Sequence, residues 1–85
     1  MPKLPVISGR ELVTFLESIG FRVIRTKGSH IRLKAEDGRV TTVPVHGKRD
    51  IPKGLLGKII REDLEISLEE FIELYSRYKG KEESD

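Results

Sequence analysis

Between Gly20 and His46 the chain holds three short runs of β-type residues, joined by connections too short for anything but antiparallel neighbours. Residues 21–26 are rich in β-branched and aromatic side chains. Lys27-Gly28-Ser29 supplies a turn. Residues 30–35 then alternate, with Ile31 and Leu33 against His30, Arg32 and Lys34. Glu36-Asp37-Gly38 makes a second turn, its Asp-Gly step being a hairpin signal. Residues 39–45 close the set, with Val43 and Val45 in phase and Pro44 marking an edge strand or a strand end.

A register follows from the second turn. A three-residue loop ending in Gly38 pairs Ala35 with Arg39, so paired numbers sum to 74. Ile31 then faces Val43 on an apolar face. The same parity sets His30 opposite Pro44 and His46 opposite Gly28. The two histidines of the chain would share the other face, at the same end of the hairpin, as a diagonal pair about 7–8 Å apart. A slip of one residue would destroy that geometry.

Helices flank these strands. Ser8-Gly9-Arg10-Glu11 has the form of a capping box, and Leu12, Phe15, Leu16 and Ile19 follow as one apolar stripe. Gly20 suits the C-terminal cap, so the first helix covers about residues 8–19. Residues 1–7, with two prolines, read as an extended arm. Residues 46–50 (HGKRD) form a basic loop. Asp50-Ile51-Pro52 opens a second helix, with Asp50 as N-cap and the proline in the first turn. Leu55, Leu56, Ile59 and Ile60 give its apolar face, and Lys53, Gly54, Gly57, Lys58 and Arg61 the opposite one. Two glycines inside a helix cost about 1 kcal/mol each relative to alanine. Either something needs backbone access there, such as a phosphate or a partner chain, or the first turn around Gly54 is short and frayed. Residues 63–66 read as a connector. Ser67-Leu68-Glu69-Glu70 repeats the capping-box form, and Leu68, Phe71, Ile72, Tyr75 and Tyr78 carry a third helix to about residue 79. Residues 80–85 read as a disordered polar tail.

The order α-β-β-β-α-α is that of an α+β domain, a three-stranded antiparallel sheet with helices on one face. Eighty-five residues suffice for one domain, residues 1–85, with its core between about 6 and 78. No apolar run is long enough for a membrane span, and charges and prolines interrupt the start where a signal peptide would have its apolar stretch. The absence of cysteine excludes disulfides and thiolate metal sites. Together these features favour the cytoplasm. Abundant Lys, Arg and Glu without Cys or Trp point to a thermophilic source. The net charge of +2 hides an asymmetry: residues 1–62 carry 13 Lys/Arg and 6 Asp/Glu, a balance of +7, and residues 63–85 carry 3 and 8, a balance of −5. A basic body suggests an anionic partner.

The layout, with Gly20-Phe21, Gly28-Ser29-His30, Pro44-Val45-His46-Gly47, Lys53-Gly54-Leu55-Leu56 and Lys58-Ile59-Ile60 in that order, resembles the HicA toxin family from about Val6 to Tyr75. The resemblance implies a double-stranded-RNA-binding-domain-like fold, α-β-β-β-α, here with an additional C-terminal helix. It implies a small ribonuclease that cleaves mRNA and is neutralised by a HicB antitoxin. The histidine of Gly-Ser-His, here His30, would be essential. One departure is visible: the position after Gly54 is often threonine in the family and is Leu55 here.

The chemistry of the residues agrees with that expectation. Cleaving RNA without a metal needs a base for the 2′-hydroxyl proton and an acid for the departing 5′-oxygen. Imidazole serves either role near neutral pH, since its ordinary pKa is about 6.5. His30 is therefore expected as general acid or base, and His46 in the complementary role or in positioning substrate. Lys27, Arg32, Lys48 and Arg49 are the nearest cations, the Gly28 and Ser29 backbone N–H groups suit a phosphate oxygen, and Lys53 extends the basic surface. Two histidines with no cysteine and no clustered carboxylates do not make a typical zinc centre, so neither metal nor cofactor is expected. Two other readings compete. One is a non-catalytic RNA-binding module using the same basic surface. The other is a protein-interaction domain docking through its sheet or second helix.

Overall fold

The computed structural model describes residues 3–83. Its elements are α1 (Gly9–Ser18), β1 (Phe21–Lys27), β2 (His30–Ala35), β3 (Val40–Pro44), α2 (Lys53–Lys58), a π-helical segment (Ile59–Leu64) and α3 (Leu68–Glu83). The strands form one antiparallel sheet in the order β1-β2-β3. The architecture is the expected α+β arrangement, α-β-β-β-α with a further C-terminal helix.

Local chemistry explains the boundaries. The Ser8 hydroxyl accepts from the Glu11 N–H at 3.1 Å, and the Glu11 carboxylate accepts from the Ser8 N–H at 3.0 Å, so the capping box at α1 is complete. Gly20, at φ +108°, ends that helix in a conformation L side chains rarely adopt. Gly28 and Ser29 alone form the first turn. Gly28 is at φ +58° and Ser29 is not in the left-handed region, the pattern of a type II′ hairpin turn. Lys27 is thus the last residue of β1 rather than part of the turn. The second turn has the expected form: Ala35 N–H donates to the Arg39 carbonyl at 2.9 Å, with Gly38 at φ +98°.

The β2–β3 register matches the sequence expectation, with Ile31 opposite Val43 and His30 opposite Pro44. Strand β3 is shorter than expected, starting at Val40 and stopping at Pro44. One further ladder bond follows it, from the Val45 N–H to the Ser29 carbonyl at 2.6 Å. The β1–β2 pairing holds a feature the sequence reading lacked. Phe21, Arg22 and Val23 pair with Ala35, Lys34 and Leu33, whereas Arg25, Thr26 and Lys27 pair with Arg32, Ile31 and His30. Ile24 is the extra residue of a β-bulge.

Helices cover one face of the sheet. The core gathers Leu12, Phe15 and Leu16 from α1, Phe21, Leu33 and Val43 from the sheet, Leu56, Ile60 and Leu64 from α2 and the π segment, and Phe71 from α3. Phe15 is its aromatic centre, meeting Phe71, Tyr75 and Tyr78 edge-on at centroid distances of 5.4, 5.3 and 5.4 Å. The arm before α1 is tied down: Ile7 is fully buried, and its carbonyl accepts from the Ile51 N–H at 2.8 Å. Gly9 lies so close to β3 that a Cβ there would overlap the Pro44 carbonyl oxygen.

The second helix departs from expectation in four ways. Its N-cap is Pro52, with no side-chain cap. Asp50 lies two residues too far upstream to cap it, and bridges to the Ser8 backbone instead. Leu55 stays 37% exposed, because Leu56, Ile59 and Ile60 suffice to meet the core. Gly57, assigned to the outer face, is buried beneath the Arg61 guanidinium, 3.2 Å from where its Cβ would be. The helix does not stop at Asp63. It widens into the π segment, which ends at Glu65 in the left-handed conformation with φ 58°. The wider turn keeps Leu64 buried and turns Asp63 to accept from the Thr41 hydroxyl at 2.8 Å, while the Leu64 carbonyl accepts from Arg39 at 2.7 Å. Helix α3 runs four residues beyond the expected 79. Of the tail assigned to 80–85, residues 80–83 are therefore helical and 84–85 lie outside the described residues.

Candidate functional site

The helices leave the other face of the sheet open, and that face carries a cluster of exposed cations. Residues whose partners alternate with the buried Leu33 and Val43 point outward. On β2 these are His30, Arg32 and Lys34, all exposed. His30 opens the strand on the far side of the Gly28-Ser29 turn, between its partners Lys27 on β1 and Pro44 on β3. The tight turn holds it at the end of the sheet, and Ser29 is fixed by its carbonyl bond to Val45. The imidazole is thus displayed to solvent from the central strand, with one cation beside it and Arg32 two residues along.

His46 stands one residue past the last ladder bond, at the same end of the sheet as His30. It begins a turn in which its carbonyl accepts from the Arg49 N–H at 3.0 Å, with Gly47 at φ +58°. The turn carries Lys48 and Arg49, both exposed. A cavity of about 290 Å³ is lined by Pro44, His46, Arg49, Asp50, Ile51 and Pro52. His30 is not among its walls. The two histidines thus lie toward the same end of the sheet, and the cavity beside His46 does not include His30. Lys53 opens α2 and is exposed beyond that cavity.

Three outward cations were not singled out from sequence: Arg22, Arg25 and Lys34. For Lys34 the signal is its phase with His30 and Arg32, and for Arg22 and Arg25 it is a broken period. Arg22 and Arg25 are three apart and Arg25 and Lys27 two apart, so all three share a face only if one residue is inserted between Arg22 and Arg25. Ile24 is that residue. A second groove, about 440 Å³, lies where Arg32, Val40 and Thr42 at the β3 edge meet Leu55, Lys58, Ile59 and Asp63. Leu55, the position at which the sequence departs from its resemblance, forms part of that wall.

Among the described residues no three His, Asp, Glu or Cys side chains converge as a metal site would require. None of the described helices is long and apolar enough to cross a membrane. Only two ion pairs are found among the described residues, Arg39 with Asp37 and Arg77 with Glu73, and neither uses a cation of the open face.

Fold and site together define a class: a small α+β domain that keeps one sheet face bare and sets a Gly-Ser-His turn at the end of it. The chain matches the family described as the HicA toxin of bacterial toxin-antitoxin over residues 9–64, which takes in α1, the whole sheet, α2 and the π segment, and it belongs to that family. It is a toxin-antitoxin toxin by that membership. No match to a curated protein was found.

Proposed function

We propose that the protein is an endoribonuclease toxin that cleaves mRNA without a metal, with His30 at its reacting centre. The observation that carries the reading is the placement of His30: exposed on the central strand, at the end of a tight turn, beside Lys27 and in line with Arg32. The reaction is an internal transfer. A base takes the proton of a 2′-hydroxyl, that oxygen attacks the adjacent phosphorus, and the bond to the 5′-oxygen breaks as an acid protonates it. The products are a 2′,3′-cyclic phosphate and a 5′-hydroxyl. His30 supplies one of these proton transfers, worth typically 10²–10⁴-fold. His46, one residue past the paired strands, supplies the other or orients the chain. Lys27, the Gly28 and Ser29 N–H groups, Arg32, Lys48, Arg49 and Lys53 hold phosphate oxygens around the scissile bond.

The physiological partner in this reading is a HicB-type antitoxin, which silences the toxin by covering the open face and the 46–50 turn. The test is cleavage of a long single-stranded RNA in EDTA by the wild type and by His30→Ala, both checked for folding by circular dichroism. The expected result is cleavage by the wild type and a loss of at least about 10²-fold in the variant. Equal cleavage by both overturns the assignment of His30. RNA binding with no cleavage by either replaces the nuclease with a binding module of the same fold.

A further inference from the structure

The open face carries more than the cations that surround His30. The bulge at Ile24 resets the register of β1, and the result is three cross-strand rows: Lys27 with His30, Arg25 with Arg32, and Arg22 with Lys34. Were Ile24 paired in the ladder instead of bulged, Arg25 and Lys27 would lie opposite Ile31 and Ser29 on the parity that faces the core. All six side chains are exposed, and among the described residues none is engaged in an ion pair.

The rows have definite dimensions. Successive rows are two residues apart along β2, about 6.6 Å, so the strip from His30 to Lys34 is about 13 Å long. Its two columns lie on adjacent strands, about 4.8 Å apart. A strip of that width accommodates one sugar–phosphate backbone, not the two backbones of a duplex. Its repeat is close to the separation of successive phosphates in an extended single strand.

We infer that the sheet face is a track for single-stranded RNA, one phosphate to a row, with the scissile phosphate at the Lys27–His30 row and its neighbours on one side at the Arg25–Arg32 and Arg22–Lys34 rows. The inference rests on the proposed nuclease reading for the identity of the RNA. It adds the strandedness of the substrate, its line across the protein and three binding residues, Arg22, Arg25 and Lys34. The open sheet face, rather than the helical side, is the nucleic-acid surface of this fold.

The test reads binding alone. The probe is a fluorescein-labelled decamer of 2′-O-methyluridine, which has no free 2′-hydroxyl to attack. Its affinity is measured by anisotropy over a range of salt concentrations. For a single strand each neutralised phosphate contributes about −0.7 to the slope of log K against log salt. Arg22→Gln with Lys34→Gln removes the far row and is expected to reduce the slope by about 0.7. Adding Arg25→Gln and Arg32→Gln removes two rows and is expected to reduce it by about 1.4. Arg10→Gln with Lys79→Gln removes two charges from the helical side and leaves the slope unchanged.

Ungraded slopes in the sheet variants, a loss in the helical-side control, or no binding by the wild type overturns the track. A duplex of equal length competing as well as the single strand overturns its strandedness. The probe cannot be cleaved, so the two readings fail separately. Graded slopes with an inactive wild type retain the track and remove the nuclease. His30-dependent cleavage with ungraded slopes does the reverse.

Discussion

Gly9 and Ser8 show how single residues set the site without touching it. A Cβ at Gly9 would collide with the Pro44 carbonyl, and Pro44 is the strand partner of His30. Backbone meets backbone there, so no side chain can swing aside. Gly9→Ala is expected to cost about 1–3 kcal/mol in urea denaturation, and to lower RNA cleavage beyond what the lost stability explains. Ser8→Ala removes half of the capping box and is expected to cost about 1 kcal/mol. The reciprocal half gives a pH dependence. The Ser8 N–H holds the Glu11 carboxyl below its ordinary pKa, helped by the Ser8 hydroxyl and by the nearby Lys79 charge, against a smaller opposing effect of burial. A carboxyl with a lowered folded value contributes fully above the unfolded carboxylate range and loses that contribution as pH falls through the folded value. Stability is therefore expected to decline below about pH 5, and Glu11→Gln to flatten that decline in denaturation curves collected from neutral to acid pH.

At the scale of the elements, the bulge and α2 make opposite points. Deleting Ile24 removes the bulge and leaves Arg22, Arg25 and Lys27 on alternate residues of a regular strand, still opposite Lys34, Arg32 and His30. The deletion is therefore expected to retain RNA binding in the anisotropy assay, as is Ile24→Val. In α2 the two glycines differ. A Cβ at Gly54 meets open space, so Gly54→Ala is expected to raise stability by about 0.5–1 kcal/mol. Gly57 gains less, because its new methyl must displace the Arg61 guanidinium. The strand pairing around His30 was legible in the sequence because Gly38 and the alternation of β2 fix it from both ends. The bulge was not read, since a strand of seven residues shows an inserted one only as a displaced charge. Nor was the π segment, since Ile59, Ile60 and Leu64 satisfy an α-helical stripe as well as a wider one. Asp50 failed as a cap because its local pattern is outweighed by a contact with Ser8, 42 residues away in sequence. Of the candidate site, the Gly-Ser-His turn was readable as a motif. The far cations required the register.

For the molecule as a whole, the core does not end where the family match ends. The match stops at residue 64, yet the ring of Phe71 and most of Tyr75 are buried against Phe15. Phe71→Ala is expected to cost about 3–5 kcal/mol, and so to lower the thermal midpoint by well over 10 °C in a domain of this size. Helix α3 is also the acidic part of the chain, and the bare sheet the basic part. Those two ends of the molecule present opposite fields to an approaching polyanion, which favours arrival at the sheet.

The 46–50 turn is fastened at both ends, by the Val45 bond to Ser29 before it and by the Ile51 bond to Ile7 after it. A free loop of that length would surrender about 1–2 kcal/mol of backbone entropy per residue on taking one shape around a ligand. Here folding has already met that cost. In the proposed RNA-binding reading the N-terminal arm, which lies outside the strands, thereby contributes to affinity without touching the ligand, and the amide of Ile51 is expected to exchange with solvent as slowly as those of the sheet.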